Sequence, residues 1–348
     1  MRPDTLVKQT AMDSKKELPV KIFSTAPQSV DGPQDTYLER VVEAAKWSEA
    51  AGCTGMLVYT DNGIVDAWLV AQIVIENTQT LCPLVATQPV YMHPYSVAKM
   101  VTSFAYLYKR KIYLNMVAGG FKTDLLALCD DTPHDKRYDR ILEYTTIIKE
   151  LLAGSSPVTL SGGFYRVENL RLKPALPSHL LPGIFLSGSS EAGMKTARAL
   201  GATAVEYPNP AEEYEANSRV DNDAGIRIGI IADETEQGAW QIAHERFPPD
   251  PKGQIAHKLA MKVSDSVWHK QLSSLDQEIG GASSPYWLWP FKNYKTFCPY
   301  LVGSYERVSA ELAKYVKAGF VNFILDIPAE KRDLKAAGIV FEQAVKRA

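Results

Sequence analysis

The sequence is poor in the residues that build covalent staples and metal centres. Its four cysteines, Cys53, Cys82, Cys129 and Cys298, are scattered and include no CxxC pair. That excludes a disulfide scaffold and predicts free thiols in a reducing cytoplasm. The six histidines (His93, His134, His179, His244, His257, His269) contain no HExxH and no pair at ligand spacing, so no metal site is expected. An excess of one charge is also missing, since 38 Lys and Arg face 40 Asp and Glu for a net charge of -2. The basic field that points to a nucleic-acid partner is therefore absent. No apolar run reaches the roughly 18 residues of a membrane span. Residues 1–19 are polar, with Asp4, Asp13 and Glu17, and read as a flexible N-terminal arm rather than a signal peptide.

What is present is an ordinary globular composition, 46% hydrophobic and 22% charged over 348 residues. The organising pattern is an alternation of short aliphatic runs with amphipathic stretches. Strand starts fall near residues 20, 55, 81, 112, 184, 202, 226 and 321. Helices are predicted over 34–51, 66–77, 94–108, 135–152, 190–200, 234–246, 305–318 and 329–347. Eight βα units predict an α/β fold with a closed (β/α)8 TIM barrel. An open doubly wound sheet would want a glycine-rich turn after the first strand, and Ser24-Thr25-Ala26-Pro27-Gln28 has none. Two stretches break the rhythm and read as insertions in a single barrel over 20–348. One, about 153–182, contains a hairpin around Gly162-Gly163. The other, about 247–300, is rich in Pro, Gly, Ser and aromatics.

In such a barrel ligand groups come from the C-terminal ends of strands and the loops after them. Strand two ends at Tyr59-Thr60-Asp61, strand three at Thr87-Gln88 and strand four at Asn115-Met116-Val117-Ala118-Gly119-Gly120. Asn115, inside an apolar strand, must satisfy its amide on a ligand or on a neighbouring loop. His134, Arg137 and Tyr138 open a helix, either as part of a site or as a charged helix start; His134 and Tyr138 lie one turn apart. Ser187-Gly188-Ser189-Ser190 sits where a strand passes into a helix, and this suits a phosphate better than a single serine cap does. Arg227 is a candidate anion partner. The aromatic run from Tyr286 to Phe291, including Trp289, and the following Tyr294 line an apolar pocket, act as a lid, or pack at an interface.

Several of these motifs stand in one order. They are Cys53-Thr54-Gly55-Met56-Leu57, Asp66-Ala67-Trp68, Leu84-Val85-Ala86, Leu114 to Gly120, His134 with Arg137-Tyr138, and Gly188-Ser189-Ser190. In that order and spacing, over about 20–246 and again at Leu301-Val302-Gly303-Ser304, the chain resembles the bacterial luciferase-like flavin-dependent monooxygenases, nearest the alkanesulfonate monooxygenase branch. Ser24 to Gln28 and Ile231 to Thr235 are similar to the pyrimidine monooxygenases of that superfamily.

The resemblance implies a reduced-FMN-dependent, two-component monooxygenase on a (β/α)8 barrel. A separate flavin reductase would supply the reduced FMN, and O2 would be activated through a flavin hydroperoxide to oxygenate a small to medium organic substrate. It implies that Asn115 meets the isoalloxazine edge, that His134 and Tyr138 flank the flavin with Arg137 nearby, and that Ser189 and Ser190 hold the phosphate. No catalytic side chain is singled out. Arg227, Trp289 and Tyr294 are the candidate substrate contacts. The sulfonate branch has a histidine where Ala26-Pro27 stands and a cysteine where Ile64 stands. Of its anion-binding set only Arg227 is retained, which argues against a sulfonate substrate. The alternatives are an alkanesulfonate or pyrimidine monooxygenase, a deazaflavin-dependent oxidoreductase, and a non-catalytic flavin-binding partner protein. A homodimer or homotetramer is the expected assembly.

Overall fold

The structure, a computed structural model, describes residues 20–214, 224–263, 267–275 and 284–348. The predicted N-terminal arm lies outside these residues. In chain order the first elements are β1 (Lys21–Thr25), α1 (Tyr37–Ala50), β2 (Gly55–Val58), α2 (Ala67–Glu76), β3 (Cys82–Thr87) and α3 (Pro94–Tyr108). Then come β4 (Tyr113–Val117), α4 (Lys122–Ala127), α5 (His134–Ala153), β5 (Val158–Ser161), β6 (Arg166–Leu170), β7 (Ile184–Ser187), α6 (Glu191–Leu200) and β8 (Thr203–Glu206). After β9 (Ala224–Asp233) and α7 (Glu236–Arg246) the chain forms α8 (Pro251–Val263), α9 (Val267–Ser274), β10 (Tyr286–Trp287) and α10 (Trp289–Lys292). It finishes with β11 (Tyr300–Ser304), α11 (Tyr305–Lys317), β12 (Phe320–Leu325) and α12 (Lys331–Arg347).

The sheet runs β12-β1-β2-β3-β4-β7-β8-β9 with all neighbours parallel, and β9 pairs back onto β12 to close it. These eight strands are the eight predicted from the sequence, so the barrel expectation holds. Inside the ring, Phe23, Leu57, Leu84, Tyr113, Phe185, Val205 and Ile324 each come from a different strand and form one buried cluster. Phe23 meets Tyr113 and Phe185 edge to face, with centroids 5.3 and 5.1 Å apart. This plug fills the barrel below the strands' C-terminal ends, so the open volume lies above it.

Helices close the outside because their apolar stripes match the sheet. In α5 the helical stripe of Ile141, Tyr144, Ile147, Ile148 and Leu151 is buried, and Gly154 ends the helix at φ +64°. The predicted hairpin is β5–β6, a separate two-stranded sheet. Its turn is held by Glu143, whose carboxylate accepts from the backbone N–H groups of Gly163, Phe164 and Tyr165 at 2.8–3.0 Å.

The second irregular stretch holds more regular structure than its composition suggested. Two helices, α8 and α9, are clasped together there. His257 Nε2 lies 3.0 Å from Ser273 Oγ, and the His257 and His269 rings pack on Phe291 with centroids 4.8 and 5.2 Å away. Strand β11 was not anticipated. It pairs parallel with residues 229–233 of β9, while residues 224–228 of β9 serve the barrel. Gly229 marks the change of partner, because a side chain there would overlap the Tyr300 ring.

Candidate active site

Above the plug, a cavity of about 220 Å³ opens at the C-terminal ends of the strands. Its floor includes Leu57, Val205 and Ile324 from the plug itself. Of the residues picked out from the sequence, Asn115, His134, Tyr138, Ser189, Ser190 and Arg227 all line it. They come from β4, the start of α5, the β7–α6 loop and β9, so the barrel brings together groups more than 100 residues apart.

Asn115 is 4% exposed, and its Oδ1 accepts a hydrogen bond from Ser187 Oγ at 2.9 Å. That bond leaves the amide N–H pair as the group offered to the cavity. Strand pairing sets this up, since Val117 of β4 stands in register with Ser187 of β7. His134 packs edge to face on Tyr138 with centroids 5.3 Å apart, and its Nδ1 lies 2.8 Å from Asp135 Oδ1. Arg137 does not reach the cavity. It is 2% exposed, and its Nη1 donates to the Gly119 carbonyl at 2.5 Å, bracing the loop that forms one wall.

The two serines do different work. Ser190 caps α6, its Oγ accepting from the Gly193 N–H at 3.1 Å. Ser189 Oγ is buried and has no hydrogen-bond partner among the described residues. An orphaned hydroxyl beside the free N–H groups of a helix start is an anion cradle. Gly188, at φ +147°, lets the Tyr138 hydroxyl close over it. The residues present therefore fit a phosphate-bearing flavin. The α6 N-terminus and Ser189 would hold the phosphate, and Asn115 and Tyr138 would border the ring.

Arg227 is deeply buried at 4% exposure, with Asp326 as its counter-ion at 3.3 Å and the Tyr59 ring 4.6 Å below its guanidinium. Tyr300 donates to the other Asp326 oxygen at 2.9 Å. The Arg227 Nε has no hydrogen-bond partner among the described residues. Trp289 and Tyr294 are not cavity-lining residues. Trp289 packs against the cluster of Ile231, Phe247, Trp287 and Tyr300, while Tyr294 stacks on His257 and Phe297 with centroids 6.1 Å from each. Phe297, which meets the Tyr294 ring, does reach the cavity wall.

Several lining residues carried no usable signal or were read only as strand ends. Gln88, Tyr91, Asp61 and Asp124 form the side toward β2 and β3. Tyr91 donates to Asn62 Oδ1 at 2.6 Å and Asn62 to the Asp124 carbonyl at 3.1 Å, a strap across three loops. Burial, then the charges of Asp61 and Asp124, pushes the Tyr91 hydroxyl up to about 12. Burial and the Asp61 charge raise the Asp124 carboxyl. Tyr207 and His269 close the opposite side, and burial holds the His269 imidazole down to about 4, so it is neutral at physiological pH. Among the described residues no cluster suits a metal ion and no helix is long and apolar enough to cross a membrane.

Comparison with known proteins places the chain in a family. The profile of the luciferase-like monooxygenase family matches residues 18–322. A monooxygenase of Niallia circulans named for 4-(gamma-L-glutamylamino)butanoyl-[BtrI acyl-carrier protein], BtrO, is 36% identical over 290 residues, covering 81% of this chain and 84% of its own. Among solved structures, a riboflavin lyase with modified FMN and riboflavin superposes with TM-score 0.70 at 16% identity, covering 94% of this chain and 91% of its own. A coenzyme F420-dependent tetrahydromethanopterin reductase from Methanopyrus kandleri gives 0.63 at 13% identity, covering 95% and 99%. These structural matches share the fold. The curated relative acts on an acyl-carrier substrate rather than an alkanesulfonate, so the finer placement on the alkanesulfonate branch is not carried forward.

Proposed function

This chain belongs to the luciferase-like monooxygenase family and is an enzyme, and from that premise we propose that it uses reduced FMN, supplied by a separate flavin reductase. The observation that carries the choice of FMN is the buried, unpartnered Ser189 hydroxyl at the N-terminus of α6, on the same cavity as Asn115 and Tyr138. When bound, reduced FMN supplies the activation of O2. The protein's own part is to bind, orient and exclude water. Asn115 positions the ring edge, Arg137 fixes the Gly119 loop, and Phe297, Val267 and His269 cover the cavity from the second insertion.

The substrate is a small to medium organic molecule, and the 36% relative supports an acyl chain bearing amide groups. Arg227 with its bare Nε is the substrate-facing cation. A sulfonate is disfavoured because Asp326 already neutralises that cation. The proposed setting is the cytoplasm, with four free thiols, and the proposed assembly is a homodimer or homotetramer.

Anaerobic titration with photoreduced FMN, followed by mixing with oxygenated buffer, tests this. The expected result is saturable binding and flavin oxidation slower than that of free flavin. Failure to bind would overturn the FMN reading, and hydride transfer from reduced F420 with no O2 consumed would replace FMN by a deazaflavin.

A further inference from the structure

Beside the main cavity lies a second one of about 210 Å³, between the loops that follow β2 and β3 and the start of α2. The two cavities share Thr60, Asp61, Ile64, Ala86, Gln88 and Tyr91, so these residues form the partition between them. Beyond the partition, the side chamber is walled by Val65, Ala67, Trp68 and Met92, interspersed with Asp66 and Thr87. Asp66 is committed to capping α2, accepting from Trp68 and Leu69 N–H, and Thr87 donates to the Val85 carbonyl at 3.2 Å. Gln88 is different. It is 7% exposed, lines both cavities, and its carboxamide has no hydrogen-bond partner among the described residues.

A buried carboxamide with an open donor and an open acceptor wants one ligand group that offers both. A secondary amide does so. The flanking wall mixes apolar Ile64, Val65, Ala67, Trp68 and Met92 with Thr60, Tyr91 and the Asp61 carboxylate at its edge, one of whose oxygens accepts from the Gly63 N–H at 2.8 Å; its apolar members match short methylene runs on each side of that amide.

We propose that the side chamber is a substrate subsite for a linear amide-bearing chain, with Gln88 at the junction reading the amide and Ile64 and Trp68 holding the methylenes. This rests on the functional reading above for the reactive end of the chain, which then lies in the main cavity. Tyr91, tied to Asn62 at 2.6 Å, keeps the partition in place and so sets the distance from amide to reacting carbon.

Pantetheine, a chain with two amides, is the probe, with decane-1,10-diol as an all-methylene control. Both are titrated calorimetrically into the flavin-free full chain, and reduced FMN is titrated in parallel. Pantetheine is expected to bind saturably and more tightly than the diol. Gln88→Leu should weaken pantetheine about five-fold, as for one lost hydrogen bond, and leave the diol unchanged. Val65→Trp, at a half-exposed site on the chamber wall, should weaken both about ten-fold by filling the space, and leave reduced FMN affinity unaltered. An acyl group offered on pantetheine and as its N-methylamide separates a carried arm from a free amide, since only the former gains from the longer chain. Equal pantetheine affinity in wild type and Val65→Trp overturns the subsite, as does parallel loss of FMN and pantetheine. Pantetheine binding without FMN binding sinks the flavin reading and leaves the subsite standing.

Discussion

The Tyr138 hydroxyl occupies the space that a Cβ at position 188 would need, so a methyl group there would overlap it. Gly188 also holds φ +147°, a conformation that residues with a Cβ rarely adopt. The β7–α6 loop and the start of α5 can close on one another only because this position is glycine. Gly188→Ala should cost about 2–3 kcal/mol by combining backbone strain with overpacking, and it should push Tyr138 into the cavity. Urea unfolding and reduced-FMN titration on the same variant check this. Wild-type stability together with wild-type flavin affinity would show that the loop adapts freely.

Ser189 and Ser190 are neighbours with opposite expected phenotypes. Ser190→Ala removes the α6 cap and should destabilise the protein by about 1 kcal/mol. Ser189→Ala removes a buried hydroxyl with no hydrogen-bond partner among the described residues, so stability should hold or rise slightly. Flavin affinity should fall by about 1.5–3 kcal/mol, the worth of a hydrogen bond to a charged group. Thermal unfolding without ligand and flavin titration together read both effects. A Ser189→Ala protein that binds FMN as wild type does would remove the phosphate from this loop.

How much of this was legible from the sequence depends on how local each signal is. All eight barrel strands show as short aliphatic runs between helical stripes, because a parallel strand covered on both faces must be apolar. Asn115 and Ser187 to Ser190 were visible for the same reason, as polar residues at the ends of apolar strands. Strand β11 was not, since Tyr300 to Ser304 follows a Pro- and aromatic-rich stretch and gains its strand identity only by pairing with the far half of β9. His269 and Tyr207 carry no local sign of facing the cavity. His269 arrives there because α8 and α9 clasp around Phe291, a contact between residues distant in sequence. Arg227 was visible as a charge within a strand, but the counter-ion that changes its meaning, Asp326, lies 99 positions away.

That counter-ion makes a sharp stability test. Arg227 and Asp326 are both almost fully enclosed, with side-chain exposures of 5% and 9%. Removing one partner leaves a buried charge uncompensated, which costs more than the pair contributes. Asp326→Ala should therefore lose about 3–5 kcal/mol, with part of the loss due to the stranded Tyr300 hydroxyl. Adding Arg227→Met to it should recover stability, because the charge that needed compensation is gone. Chemical denaturation of both single variants and the double variant closes the cycle. A double variant no more stable than Asp326→Ala would mean that the aspartate acts through Tyr300 and not through the arginine.

The histidine clasp gives the protein an acid limb with a known sign. Burial, then the His257 charge, lowers the His269 imidazole from 6.5 to about 4. Burial and Lys292 lower His257 in the same direction. A folded-state value below the unfolded one means that the unfolded chain takes up the proton first as pH falls. The clasp thus contributes fully above about pH 6.5 and is lost progressively from there toward pH 4. Carboxylates add their own acid dependence, so the readout is a difference between two proteins. His269→Phe keeps a ring against Phe291 and cannot take up a proton. Its urea midpoint should fall less steeply than that of wild type between pH 6.5 and pH 4. Because α9 also carries Val267 to the cavity wall, flavin affinity at pH 5 should be better retained in His269→Phe, provided its affinity at pH 7.5 matches wild type. Parallel stability curves for the two proteins would mean that the acid limb belongs to other groups and that α9 stays closed when His269 is protonated.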